Sequence, residues 1–399
     1  MTGGARRVAY VAMLVAALVC EGFDVTTASF AAPLLAHEFG VTPAGLGPYL
    51  TSNAFGMLIG SALIAPLGDR FGRRPMVCTC TSAYGALMLL STLAQSLAQL
   101  TVARFTIGIC VGALLPSAII LAGELVSESA RLRTSAAVTL GISLGAMLAG
   151  AAATAILPNH GWRMFIFVAG IVPLLYSIVL WVALPESPAF DRQAHARTGS
   201  PLAPALLFRN GLAGMTVALW LLIILLSMTL YLLSNWTPML VRQNGFDTRT
   251  ASLIGTFYYV GGLIGGAICV LLLGRSGWIT LAGFMILAAI ALFSVSQVGS
   301  SVPLLTIGLL ASGALVNASQ VAFNGIGASA YPLGLRAAGF GCALAVARVG
   351  SISGPLIGAA LVGKDASHAQ HLFAVPVVPL LIAAGLAVWL WNNRRQAAT

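Results

Sequence analysis

The sequence predicts an all-α membrane protein with twelve transmembrane helices in two bundles of six. Three observations carry this. Hydrophobic residues fill 59% of the 399 positions and charged residues only 8%, against about 25% charged in soluble domains. Apolar runs long enough to cross a bilayer, about 20 residues each, recur along the chain. One polar stretch, Pro185 to Asn210, interrupts them near the middle.

Taken in order, the runs place helices at roughly 8–36, 45–67, 76–95, 100–126, 132–157, 162–184, 212–241, 250–273, 278–299, 302–330, 337–363 and 368–391. The interruption divides them into a first bundle (1–184), a linker (185–211) and a second bundle (212–399). The start, with Arg6 and Arg7 before an apolar run, has the outline of a signal peptide. The run is longer than an h-region and holds two acids, so it is read as a mature spanning helix. Orientation follows from the arginines. With both ends on one side, fourteen of them (Arg6, Arg7, Arg70, Arg73, Arg74, Arg131, Arg133, Arg192, Arg197, Arg209, Arg275, Arg336, Arg394, Arg395) share that side, and Arg163, Arg242, Arg249 and Lys364 fall on the other. The positive-inside rule makes the richer side, and both termini, cytoplasmic.

The net charge of +10 does not mark a nucleic-acid binder, because the basic residues stand singly or in pairs at helix ends and form no stripe. The six cysteines lack disulfide or metal spacing and read as small packing residues. No metal-ligand cluster and no nucleophile with a base is visible at membrane depth, so neither an enzyme nor a metal or other cofactor is expected.

Function points first to Glu21 and Asp24, one helical turn apart in the middle of the first helix. A central acid costs about 2.5–3.5 kcal/mol on insertion scales, so the pair must face protein, water or a counter-charge. Two acids on one face repel when both are ionised, which favours a proton on one of them. Permanent neutralisation, by Arg104 or another helix, is the bland reading. Arg104 itself opens the fourth helix in RFTIGICVG, where it could serve these acids or simply snorkel to water. Arg348, about twelve residues into the eleventh helix, could pair with one of the acids or with an anionic substrate. Two six-helix halves with a linker fit a transporter built from repeats, although the sequence repeat is faint: GDRFGRRP after the second helix is matched only by GRSG after the eighth.

That first loop carries Asp69, Arg70, Gly72, Arg73 and Arg74 in a D-R-x-G-R-R pattern. Over its full length the chain resembles the major facilitator superfamily, whose loop between helices two and three has this signature; where a glycine usually stands four residues before the aspartate, this chain has Ala65. The resemblance implies a conformational latch of Asp69, Arg70, Gly72, Arg73 and Glu124, with Arg73 paired to Glu124. The plain alternative is a positive-inside cluster. EGFD followed by Ala32-Pro33 in the first helix, LPESP at the end of the sixth and YLLSNWTPMLV in the seventh together look like the aromatic acid:proton symporter family, especially its 3-(hydroxyphenyl)propionate-type members.

That resemblance implies proton coupling by Glu21, Asp24 and Arg104, and an anchor for the substrate carboxylate at Arg348. A ring slot and polar partners would come from Tyr231, Asn235 and Trp236 in the seventh helix, from Tyr258 in the eighth, and from Asn317, Gln320 and Asn324 in the tenth, each of which singly could equally be packing or an interfacial belt. The expected protein is a monomer in the bacterial inner membrane that imports a small aromatic carboxylate with protons by alternating access. A sugar or other organic-acid symporter and a drug exporter are its rivals.

Overall fold

The computed structural model describes residues 3–187, 207–208, 212–272, 277–299, 301–331, 335–362 and 372–396. Among them the chain is helical: α1 (Gly3–Glu38), α2 (Gly47–Ile59), α3 (Gly68–Phe71), α4 (Arg73–Ser91), α5 (Leu97–Glu124), α6 (Glu128–Ala183), α7 (Ala213–Gln243), α8 (Thr248–Leu272), α9 (Gly277–Gln297), α10 (Val302–Ile326), α11 (Arg336–Val362) and α12 (Val377–Gln396). Ten helical segments are long and apolar enough to cross a membrane. The linker residues 188–206 and 209–211 of the sequence reading lie outside the described residues.

Local chemistry sets the breaks. The 56-residue α6 is broken at Gly161, whose φ of 72° is left-handed, so the segment is two helices in series. Ser96 caps α5 by accepting from the Gln99 N–H, and Asp247 caps α8 by accepting from the N–H groups of Arg249 and Thr250. Hydrogen bonding from Thr250 holds the Asp247 carboxyl below its ordinary range. α2 runs on through a π turn, Gly60–Ile64, and a 3-10 turn, Ala65–Leu67.

The chain divides into two compact units, Met1–Arg197 with Asp247–Thr256, and Thr198–Phe246 with Phe257–Thr399. Inside each unit, glycines let helix backbones touch. In the first, a Cβ on Gly141 or Gly145 would lie 2.7 or 2.0 Å from the carbonyl oxygens of Val15 and Val19, which seats α6 on α1. Gly56 and Gly60 do the same on α5, at 2.1 Å from Phe105 O and 2.0 Å from Ile109 O. In the second unit Gly350 and Gly354 seat α11 on the carbonyls of Ile224 and Met228 of α7, and Gly261 and Gly265 seat α8 on those of Leu310 and Ala314 of α10.

These contacts reveal a repeat hidden in the sequence. The α1–α6 contacts reappear between α7 and α11 shifted by 209 residues (224 − 15, 350 − 141), and the α2–α5 contacts reappear between α8 and α10 shifted by 205 (261 − 56, 310 − 105). Small-residue packing is how helices associate in lipid, where no hydrophobic drive separates helix from tail. Large apolar side chains such as Val182, Leu271 and Leu63 point outward, at 82%, 85% and 66% exposure, as a lipid-facing surface requires.

Substitution at these sites gives a direct test. Gly145→Leu forces α1 and α6 apart and should lower the midpoint of thermal unfolding in detergent by several degrees or abolish folding. Gly283→Ala, in α9 with no heavy atom within 4 Å of its Cβ position, should leave it unchanged or raise it slightly, since alanine favours a helix interior by about 1 kcal/mol over glycine.

Candidate functional site

Asp24 is fully buried in α1, fourteen residues before the end of the helix at Glu38 and hence about 21 Å along its axis. Its Oδ1 accepts from Arg104 Nη1 at 2.7 Å, and its backbone carbonyl accepts from Nη2 at 3.1 Å. The guanidinium, only 3% exposed, also lies 3.7 Å from the Met88 sulfur of α4. Arg104 therefore turns inward, to Asp24, and not toward water. Glu21 is also buried, one turn before Asp24 on α1.

The pair survives burial because each charge is the other's partner and the guanidinium makes two bonds to one residue. α1 packs tightly on α6 as well, because Gly22 and Gly145 carry no side chain: a Cβ on Gly22 would sit 2.0 Å from Ile142 O. The Tyr49 and Tyr84 hydroxyls, Asn53 Oδ1, Asp24 Oδ2 and Arg104 Nε are buried without a hydrogen-bond partner among the described residues.

In the second unit, Asn235 Nδ2 donates to Tyr231 O at 2.8 Å and Asn317 Nδ2 donates to Gly313 O at 3.0 Å, so each amide spends donor capacity on its own helix. Gln320 donates to Asn324 one turn on, at 3.4 Å, and Asn324 is exposed. Tyr258 is 1% exposed and packs edge-on against Tyr259 at 5.3 Å, and Tyr259 donates to Ser234 O. Trp236 is completely buried and donates from Nε1 to Pro355 O at 3.0 Å, directly against Gly358. The structure therefore uses Trp236 as the joint between α7 and α11. Arg348 is half-buried on α11, with no side-chain ion pair among the described residues.

At the start of α4, Gly72 has φ 101° and serves as N-cap. The bare N–H groups of Arg73 and Arg74 both donate to Glu186 Oε1 at 3.1 Å, and the N–H of Ser187 donates to the same oxygen at 2.9 Å. Ser187 in turn donates to Glu124 Oε2. A Cβ at residue 72 would lie 2.3 Å from Glu186 Oε2, so the glycine makes room for the carboxylate as well as for the turn. Glu186 thus neutralises the positive end of α4, a role that sequence reasoning missed. The available signal was an acid just past one helix end, facing a loop rich in arginine. Arg70 is exposed on α3, and the side chain of Asp69 lies outside the described residues.

Ten membrane-length helical segments among the described residues, with a buried acid–guanidinium pair between two of them, define a multi-pass membrane protein. The family model described as "Major Facilitator Superfamily" matches residues 14–296. The 4-hydroxybenzoate transporter PcaK of Pseudomonas putida is 30% identical, over 92% of this chain and 89% of the relative. The 3-(3-hydroxy-phenyl)propionate transporter of Escherichia coli is 28% identical, over 94% and 92%. Among solved structures, a bacterial homologue of the human lysosomal transporter Spinster, inward-facing and occupied, superposes with a TM-score of 0.76 at 16% identity, covering 97% of both chains. The nucleoside transporter NupG gives 0.79 at 12%, covering 97% of this chain and 99% of its own. The chain belongs to the major facilitator superfamily and, within it, to the aromatic acid:proton symporter family that its motifs resemble.

Two substitutions test this geometry. Arg104→Leu leaves Asp24 buried without its counter-charge and should cost about 3–5 kcal/mol, read as a lower unfolding midpoint that a second change, Asp24→Asn, partly restores. Glu186→Ala removes the cap of α4 and should cost about 0.5–2 kcal/mol, read as faster hydrogen exchange at the Arg73 and Arg74 amides by roughly 2- to 30-fold.

Proposed function

We propose that this protein is a proton-coupled symporter that imports a small aromatic carboxylate, of the hydroxybenzoate or phenylpropionate type, into the bacterial cytoplasm by alternating access. The observation that carries this reading is the buried Asp24–Arg104 pair in the middle of a membrane helix, together with relatives named as transporters of aromatic acids. On this reading the protein has twelve crossings, counting α6 as two and including α4, and both termini are cytoplasmic.

Protonation of Asp24 removes the charge that holds Arg104. Glu21 lies one turn away on the same helix. Arg348 of the second unit anchors the carboxylate of the substrate, and Tyr231, Asn235, Tyr258, Asn317, Gln320 and Asn324 supply ring contacts and polar partners. Positional equivalents support this division. At the shifts of 209 and 205 residues that relate the helix contacts, Asp24 corresponds to Leu233 and Arg104 to Leu309, while Arg348 corresponds to Thr139. Each ionisable group therefore belongs to one unit alone. The Glu186 cap, with Gly72, Arg73 and Glu124, serves as part of the cytoplasmic latch.

One proton moving with one monoanion carries no net charge, so the membrane potential, worth about 2.3 kcal/mol per charge per 100 mV, does not drive the cycle. Proteoliposomes given an inward proton gradient and no potential should accumulate labelled 4-hydroxybenzoate or 3-(3-hydroxyphenyl)propionate, with excess benzoate competing and excess glucose having no effect. Asp24→Asn and Arg348→Ala should each reduce accumulation to less than about a tenth of wild type. Near-normal accumulation by Arg348→Ala removes the anchor assignment, and gradient-independent uptake by the wild type removes proton coupling.

A further inference from the structure

We infer that Tyr49 and Tyr84 are positioning residues of the Asp24–Arg104 site, whose hydroxyls receive the guanidinium and the carboxyl when the bond between them opens. This rests on the proton-coupled reading above and adds two residues to it.

Placement comes from helix register. α2 and α5 run parallel with a constant pairing, since a Cβ on Gly108 would lie 2.3 Å from Asn53 O and one on Gly112 would lie 2.3 Å from Met57 O. One turn earlier on both helices, the same pairing sets Tyr49 across from Arg104. On α4, the residue that touches Arg104 is Met88, and Tyr84 is one turn before it on the same face. Tyr49 lies within the electrostatic reach of Arg104 and Asp24, and Tyr84 within that of Asp24, Glu21 and Cys20. Cys110 of α5 completes the titratable groups around Asp24. From α6, Ile142 and Gly145 pack against this turn of α1.

Both tyrosines are almost completely buried, at 1% and 0% exposure, and neither hydroxyl has a hydrogen-bond partner among the described residues. Buried hydroxyls are ordinarily satisfied, and exceptions call for a reason. Asp24 Oδ2 and Arg104 Nε are also without a hydrogen-bond partner among the described residues. A phenol can donate to a carboxyl and accept from a guanidinium. The closed ion pair thus sits among partners it does not use, and these become useful when Asp24 takes a proton and Arg104 loses its first acceptor. Two phenylalanines would fill the same space and offer none of this.

The test is the pH dependence of uptake in proteoliposomes for wild type, Tyr49→Phe, Tyr84→Phe and the double variant, with unfolding midpoints measured in parallel. Without the hydroxyls the opened, protonated state loses its partners, so half-maximal uptake should move by about one pH unit toward acid in at least one single variant and further in the double, a tenfold change in proton concentration. Unfolding midpoints should stay level or rise, because the closed state makes no bond through these oxygens; a lowered midpoint with an unmoved pH profile would mean that the hydroxyls are merely structural and overturns the inference. Profiles that superimpose on a pH-dependent wild type also overturn it and leave proton coupling standing. A wild type whose uptake ignores pH defeats both.

Discussion

The arrangement of the first unit depends on a single ion pair placed where ions are least welcome. Asp24 and Arg104 are buried together at 2.7 Å, and neither could stay charged there alone. That requirement reaches backwards into the backbone. α1 is held on α6 through Gly22 and Gly145, and α5 presents Arg104 toward α1 while its next turns, Gly108 and Gly112, lie flat on α2. On the proposed function, the pair that braces the first unit is also the one that a proton opens.

Much of this was legible in the sequence, and for definable reasons. Helix positions follow from the length of apolar runs, which the bilayer enforces, and Glu21 and Asp24 stand out because charge is so scarce around them. Arg104 stayed ambiguous because its distance from a helix end allows either a route to water or an inward partner, and only the meeting of α1 with α5 decides. Trp236 carries the right chemistry for a ring slot, yet its indole N–H goes to Pro355 O, a pairing that joins helices 119 positions apart in the chain and leaves no local mark. Glu186 escaped for the same reason: its three N–H partners include two from a loop more than a hundred residues away.

The internal repeat illustrates what a sequence conceals. GDRFGRRP and GRSG barely resemble each other. The backbone contacts cannot drift so easily, since a Cβ about 2 Å from a carbonyl oxygen has nowhere to go. Register therefore survives where identity does not. The two units keep the same helix joints and differ in the ionisable groups they carry, with the acid–guanidinium pair in one and Arg348 in the other.

Those joints also limit which parts of the molecule can deform. Helices that meet carbonyl against Cα along two successive turns, as α1 with α6 and α7 with α11 do, cannot slide without collision and cannot separate without opening voids. Each such couple is one stiff beam. Bending has to be concentrated at interruptions of the regular helix, and the π turn at Gly60–Ile64, which interrupts the ladder of α2 where Gly60 meets Ile109 of α5, is such a place.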